Sequence, residues 1–306
     1  MINYERYVNF YTDFAFKKLF GTEANKELLI SFLNALLHGK EEIRDLTYLN
    51  TEHLGGQEYD RKAVFDVYCE TVDGSKILVE MQKAEQQYFK DRSIFYSTFP
   101  IRDQAVKGHE WNYQLTAVYT IGILNFCFDD TNPDYFHHEV KLLDTQTKEV
   151  FYDKLTYVYL EMPKFTKQEQ ELNTLFDKWL YAIKNLSRLM QRPATLQEQV
   201  FTQLFQAAEI AQFNPQERVD YEASPKVFRD IYSVVETAEI RGHEKGYAAG
   251  MAAGIEQGLE QGLEQGLEQG EKKMALRMAK TLKEEGWSLH RIAALTGLSE
   301  DALQSL

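Results

Sequence analysis

Asp66, Glu80 and Gln82 are the residues of this 306-residue chain whose types and spacing could do chemistry together. Glu80 and Gln82 lie in "KILVEMQK" (76–83), which opens as a buried strand should, with Ile77, Leu78 and Val79 in a row. Side chains alternate along a strand, so Leu78, Glu80 and Gln82 share one face and Ile77, Val79 and Met81 share the other. Asp66 lies in the run before it, "KAVFDVYCET", joined to it by "ETVDGSK". The turn decides whether the acids meet. A two-residue Asp73-Gly74 loop pairs Val72 with Ser75, sets Asp66 opposite Met81, and points the two carboxylates to opposite faces. A three-residue Val72-Asp73-Gly74 loop, with Gly74 left-handed, pairs Thr71 with Ser75 and Asp66 with Glu80. Both acids then share a face, with Gln82 opposite Val64. The expectation is the three-residue turn.

Two directly opposed carboxylates repel each other and weaken a sheet. A hard divalent cation such as Mg²⁺ would resolve the repulsion, and the backbone carbonyl of Met81 could be a further oxygen ligand. A metal so held polarises a phosphoryl oxygen and lowers the pKa of water, as phosphodiester hydrolysis requires. Gln82 could orient the water or the phosphate, though it brings no positive charge. The plainer alternative is a solvent-exposed face on which the acids are ordinary polar residues, since paired carboxylates mark sites only statistically.

The elements that must position these residues alternate between helix and strand over the first 165 residues. "DFAFKKLFG" and "NKELLISFLNALLHG" have helical spacing, the second with Gly39 as the expected C-cap. "EIRDLTYLN", "KAVFDVYCET" and "GSKILVEMQ" read as strands, followed by a helix from Gln86 to Lys107 that Pro100 should end or kink. "YQLTAVYTIGILNFCF", "HHEVKLLDT" and "TYVYLEMP" add strands. From 166 to 240 the pattern is helical, with an apolar stripe at Leu172, Leu175, Phe176, Trp179, Leu180, Ile183 and Leu186. A glycine-repeat arm (241–271) and a small helical module (272–306) complete the chain.

Bulk properties restrict the reading further. The chain has ample length for a core, and 44% hydrophobic residues describe a folded protein. No stretch is apolar enough for a membrane span, and the N-terminus lacks a signal-peptide layout, so a cytoplasmic protein is expected. Cys69 and Cys127, each placed in a predicted strand, read as small buried hydrophobes in a reducing compartment. His137 and His138 are adjacent, so on a strand they point to opposite faces. A net charge of −13 argues against gripping nucleic acid by bulk charge alone.

Asp66, then a short hairpin, then "VEMQ" at 79–82 resembles the D…(D/E)-x-K core of the PD-(D/E)XK nuclease superfamily. The branch it is most similar to is the recombination-promoting nuclease or putative transposase family, in which glutamine often stands where the superfamily has lysine. "TDFAFKKLFG", "LLISFLNALL" and "FKDRSIFYSTFPIRDQAVKGHEWNYQLTAVYTIGILNF" also resemble that family, over about residues 10–165. The resemblance implies an α/β, restriction-endonuclease-like mixed sheet flanked by helices, a Mg²⁺-dependent DNA endonuclease activity, and Asp66, Glu80 and Gln82 as its site. It also suggests Asp13 as a third acid reaching the metal, although a helix N-cap explains Asp13 equally well. Lys17 could meet phosphate, and Lys62 could supply the charge that Gln82 lacks. Arg92 and Tyr96, four apart on a helix, share a face. They could hold DNA backbone, or Arg92 could bond an acidic neighbour.

In the arm, glycine recurs every fourth residue from Gly242 to Gly270. Four residues turn about 400°, so the glycine stripe drifts about 40° per repeat. Eight glycines at about 1 kcal/mol each make an isolated helix poor. Tyr247, Met251, Ile255, Leu259, Leu263 and Leu267 follow with the same period. The expectation is an arm that becomes helical only against a partner, a second copy of the chain, wound right-handed. "TGLS" near the end has the spacing of a helix-turn-helix, but Glu300 and Asp301 would face phosphates badly, so a docking module is expected. Two functional readings follow: the metal-dependent endonuclease, and a nuclease-fold protein acting as a DNA-binding or assembly module.

Overall fold

The structure, a computed structural model, describes residues 5–50, 52–53, 63–86, 88–105, 112–128 and 132–306. The first of two compact units runs from Met1 to Phe228 and holds the sheet. Six strands lie in the order β1 (Leu46–Tyr48), β4 (Val67–Thr71), β5 (Lys76–Gln82), β6 (Val118–Leu124), β8 (Val150–Glu161) and β7 (His137–Leu143). The β5–β6 and β6–β8 pairs are parallel, and the others are antiparallel. A separate two-stranded sheet pairs β2 (Glu52–His53) with β3 (Ala63–Val64).

Strand alternation sorts the two faces as the sequence implies. Ile77 and Val79 join Val67, Cys69, Ile121, Ile123, Val158 and Leu160 in the main core. Helices α1 (Asp13–Phe20), α2 (Lys26–Leu36), α4 (Leu175–Asn185) and α5 (Gln199–Ala208) cover that face with Phe16, Phe32, Trp179 and Phe201. Residues from Leu172 to Tyr221 therefore share one core with the sheet. The opposite face carries α3 (Phe89–Arg102), which packs Phe99 on Leu78 and Tyr68, and Phe89 on Leu124 and Tyr159. As β5 and β6 are parallel, α3 is their crossover.

Several boundaries differ from the sequence reading. The expected strand "KAVFDVYCET" is interrupted at Phe65 and Asp66, so Val64 pairs with Glu52 and not with Gln82. Helix α2 stops at Leu36 with Leu37 as C-cap, and Gly39 is left-handed (φ +77°) in the turn beyond it. Helix α3 keeps Pro100 inside it and ends two residues later. Proline here lies in the last turn, where the chain is about to leave the helix. Cys127 follows β6 and is half-buried, whereas Cys69 is buried in β4; both thiols are free. His137 packs against Phe176 on the core side, and His138 faces Phe128 and Tyr135 on the other.

The second unit, Arg229–Leu306, contains most of α6 (Pro215–Glu284), then α7 (Leu289–Thr296) and α8 (Glu300–Gln304). The arm is helical in the single chain, contrary to the expectation that a partner is needed. Its helix starts at Pro215 on the first unit, where Tyr221 joins the core, and ends where Ala279 packs with Ile292 and Leu303. With both ends fixed, the glycine stretch needs only propagation and no costly nucleus.

The β4–β5 pairing sets Val67 opposite Val79 and Glu70 opposite Lys76. Thr71 N–H donates to the Ser75 carbonyl (2.9 Å), so the loop is the three-residue one, with Gly74 at φ +84°. A left-handed residue with a Cβ costs about 1–2 kcal/mol. Gly74→Ala should therefore lower the unfolding free energy by roughly 1 kcal/mol in urea titration, while Asp73→Ala in the same loop should leave it nearly unchanged.

Candidate functional site

The β4–β5 ladder ends at the Val67–Val79 pair, and beyond it Asp66 lies in a bend; Glu80 bonds Arg92 of α3, and the Asp66 charge is felt at Glu80. Asp66 occupies the bend between β3 and β4, and its Oδ2 accepts the Met81 N–H at 2.8 Å. The side chain thus takes over a bond that a continuing strand would make with its backbone. The Gln82 carbonyl accepts the Asn125 N–H at 2.9 Å on the β6 side. Carbonyls alternate in direction along a strand, so that of Met81 points the other way, toward Asp66. The Asp66 carboxylate and the Met81 carbonyl thus lie along the same edge of β5.

Helix α3 completes the constellation with Arg92. One guanidinium nitrogen donates to Glu80 Oε1 at 2.5 Å and to Gln82 Oε1 at 2.7 Å, and the other bonds Gln86. The guanidinium lies over the rings of Phe89 (5.1 Å) and Tyr96 (5.7 Å), which orient it. Gln82 donates from Nε2 to the Ala84 carbonyl at 3.0 Å, so both ends of its amide are fixed. Arg92 bonds an acidic neighbour, as one of its two sequence readings had it, and that neighbour is Glu80. It also brings to Gln82 the positive charge that glutamine lacks. Tyr96 packs edge-on against Phe65 at 5.2 Å.

Burial raises both acids. The Asp66 carboxyl is pushed up to about 6 by burial; the Met81 N–H opposes this, Asp13 adds to it, and Lys17 and Arg92 oppose it. Burial pushes Glu80 up to about 7 against the charge of Arg92, with Asp66 adding to the rise. One guanidinium does not offset two half-buried carboxylates.

Asp13 is not the cap of α1: Thr12 is, accepting from Ala15 N–H, because Thr12 has the extended backbone of an N-cap (φ −104°, ψ 141°) and Asp13 is already the first helical residue. Asp13 is bridged to Lys17 at 2.9 Å and mostly exposed, so Lys17 already has an acidic partner. Both charges are nonetheless felt at Asp66. Among the described residues no group of three or more His, Cys, Asp or Glu side chains is placed to hold a metal ion. Lys62 lies outside the described residues.

Sequence reasoning missed how α3 is held. Ser93 and Ser97 share hydrogen bonds with Tyr159 (2.6 Å) and Tyr157 (2.7 Å) on β8. Four residues of helix rise about 6 Å and two residues of strand about 6.6 Å, so the two spacings match. The signal was present as serines four apart and tyrosines two apart.

The raised values carry a consequence for pH. In the unfolded chain both acids ionise near 4, whereas the folded protein holds their protons up to about 6 and about 7. Folding therefore takes up protons between these limits, and stability falls as pH rises from about 4 to about 7. Asp66→Asn should leave the melting temperature unchanged near pH 4 and raise it at pH 8, by a few degrees, corresponding to roughly 1–3 kcal/mol. Equal melting temperatures at pH 8 would show that Asp66 is not destabilised by its surroundings.

Residues 10–238 match a family model described as PD-(D/E)XK nuclease family transposase. No curated protein and no solved structure matches the chain. The mixed six-stranded sheet with helices on both faces has the restriction-endonuclease-like architecture that this family implies. No helix of the described residues is long and apolar enough to cross a membrane. With a match over more than half its length, and the D…E-x-Q hairpin at the sheet's bend, the chain belongs to the PD-(D/E)XK nuclease family transposases.

Proposed function

We propose that the protein is a Mg²⁺-dependent DNA endonuclease acting in recombination or on mobile elements in the cytoplasm. The observation that supports it is the proximity of two half-buried carboxylates, Asp66 and Glu80, with too little positive charge to offset them. Asp66, Glu80 and the Met81 carbonyl form a donor set of hard oxygens that suits Mg²⁺. When bound, such an ion polarises a phosphoryl oxygen and makes water a better nucleophile at neutral pH. Gln82 orients the water or the phosphate through its amide. Arg92 supplies the positive charge beside it, where the wider superfamily has lysine, and meets the charge that grows on the phosphate oxygens.

Supercoiled plasmid incubated with the protein and Mg²⁺ should be nicked, and Asp66→Ala should reduce the rate at least a hundredfold. Nicking that persists in Asp66→Ala would point to a contaminant and remove this reading. One observation favours a second reading: Arg92 already bonds both Glu80 and Gln82. A site held closed in this way suits a nuclease-fold protein that binds or assembles on DNA without cutting it. DNA binding without nicking by the wild type in Mg²⁺ or Mn²⁺ would support it.

The arm is assigned to pairing of two copies. Its six apolar residues, from Tyr247 to Leu267, are 56–70% exposed, and nothing approaches within 4 Å of the eight glycine positions. The stripe completes a circle in about 36 residues, or about 54 Å of helix. It therefore offers no straight face to a flat surface, but suits a second helix wound right-handed, with i±4 ridges crossing near −50°. Glu256, Glu260, Glu264 and Glu268, two residues beyond Gly254, Gly258, Gly262 and Gly266, lie about 200° away from the glycines and face solvent. Truncation before Gly242 should lower the mass seen by light scattering while plasmid nicking is retained; unchanged mass would make the arm a tether.

A further inference from the structure

Strand β7 forms one edge of the six-stranded sheet, and a single bond shows which of its backbone groups point outward. The Glu161 N–H donates to the Phe136 carbonyl at 2.8 Å, one residue before β7 begins. Along an antiparallel ladder, pairs that exchange hydrogen bonds alternate with pairs that do not. His138 and Val140, opposite Tyr159 and Tyr157, therefore turn their N–H and C=O groups toward β8. Those of Glu139 and Lys141, opposite Val158 and Thr156, turn away from it. Among the described residues no group bonds these outward amides and carbonyls.

An edge of this kind is open to another strand. Native edges are commonly guarded by a lysine or a bulge, and β7 has both, with Lys141 at the place where its register on β8 shifts. The guard works against a strand that leaves the lysine unmatched. It does not work against a second β7. A two-fold axis through Val140 runs two copies of the strand antiparallel, and sets Glu139 of each opposite Lys141 of the other. Glu139 and Lys141 lie on one face of their own strand, bridged at 3.2 Å. Opposite charges then alternate both along and across the pair. Centred on Glu139 or on Lys141 instead, the pairing would oppose like charges, which weakens a sheet. The charges thus select one register. In that register each Glu139–Lys141 pair exchanges both N–H···O bonds, so the outward groups of both residues are satisfied. On the other face Val140, 47% exposed in the single chain, meets its own copy.

We infer that β7 is an interaction surface for a second copy of this chain, joined edge to edge across a two-fold axis at Val140, so that one sheet runs through both copies. The inference uses neither the arm nor the acids, and stands apart from the reading of each.

Cysteine cross-linking in the full chain tests it. In an antiparallel pair that exchanges no hydrogen bonds the Cα atoms are about 4.5 Å apart, within the span of a disulfide. With excess oxidised glutathione as oxidant, Val140→Cys should give about fivefold more disulfide-linked dimer on a non-reducing gel than Leu142→Cys or Phe151→Cys. Those two positions are 48% and 78% exposed, yet neither meets its own copy; two Leu142 residues would lie about 14 Å apart along the strands. Copies held together by the arm alone would cross-link at all three positions to a similar extent. The wild type, with free Cys69 and Cys127, gives the baseline. Lys141→Glu added to Val140→Cys should lower the dimer to the level of Leu142→Cys, and Glu139→Lys added to both should restore it. Because Glu139 also bonds Lys40, the melting temperature of each variant is measured alongside. Lys141→Pro removes only an outward N–H, which an edge strand tolerates, and replaces the charge variants if they fail to fold. No dimer from Val140→Cys, equal yields at the three positions, or a dimer that survives Lys141→Glu or Lys141→Pro in folded protein overturns the inference.

Discussion

The register of one hairpin is the constraint on which the site depends. Because side chains alternate with a period of two, one residue fewer in the loop would have set Asp66 opposite Met81 and turned it from Glu80. Gly74, at φ +84°, closes the three-residue loop that gives the observed pairing. The same register leaves Val67, Cys69, Ile77 and Val79 facing the main core. A shift would put an acid into that core and valines against α3. Burial of the apolar face therefore enforces the proximity of the two acids, although that proximity by itself is unfavourable.

The neighbouring packing then fixes the electrostatics. Gly122, beside Glu80 on β6, leaves room for Phe89 and Tyr159; a Cβ there would come within 3.0 Å of Tyr159 and 3.3 Å of Phe89. With that space filled by aromatic rings, α3 lies close to the sheet and Glu80 loses solvent. Ser93 and Ser97, bonded to Tyr159 and Tyr157, set the height of α3 along the strands. Arg92, on the same helix, reaches Glu80 and Gln82 as a result. Burial that raises the carboxyls and the guanidinium that opposes the rise thus come from one packing event.

How far the sequence revealed this follows physical lines. Period-two alternation was enough to place Leu78, Glu80 and Gln82 on one face, and the three-residue turn was expected from side-chain parity, since Asp73-Gly74 alone equally suits a two-residue loop. Helix spacing located Leu172, Trp179, Leu180, Ile183 and Leu186 in the core, whereas Leu175 of the same stripe is exposed. What stayed hidden was tertiary. The break of the strand at Asp66 depends on a side chain bonding the Met81 amide, which no local propensity encodes. Thr12 and Asp13 are both good caps, and only the backbone geometry distinguishes them. The arm's glycines predict a poor helix when counted alone, but the packed ends that sustain it lie outside the repeat.

The source of positive charge gives the site a character of its own. A lysine on β5 would be carried by the same strand as Glu80, and its position would be secured by the hairpin alone. Here position 82 is glutamine, and the cation comes from α3, which is joined to β5 by a separate connection and held by two hydroxyl pairs and an aromatic cluster. The charge at the site therefore depends on how α3 is docked, whereas the acids depend on the hairpin. Arg92 spans both Glu80 and Gln82 through one nitrogen, so a cation at Glu80, as proposed above, would compete with it there while its bond to Gln82 could persist. A guanidinium released from the carboxylate but still tied to the amide remains beside the acids, where a phosphate oxygen would take the place of Glu80 as its partner.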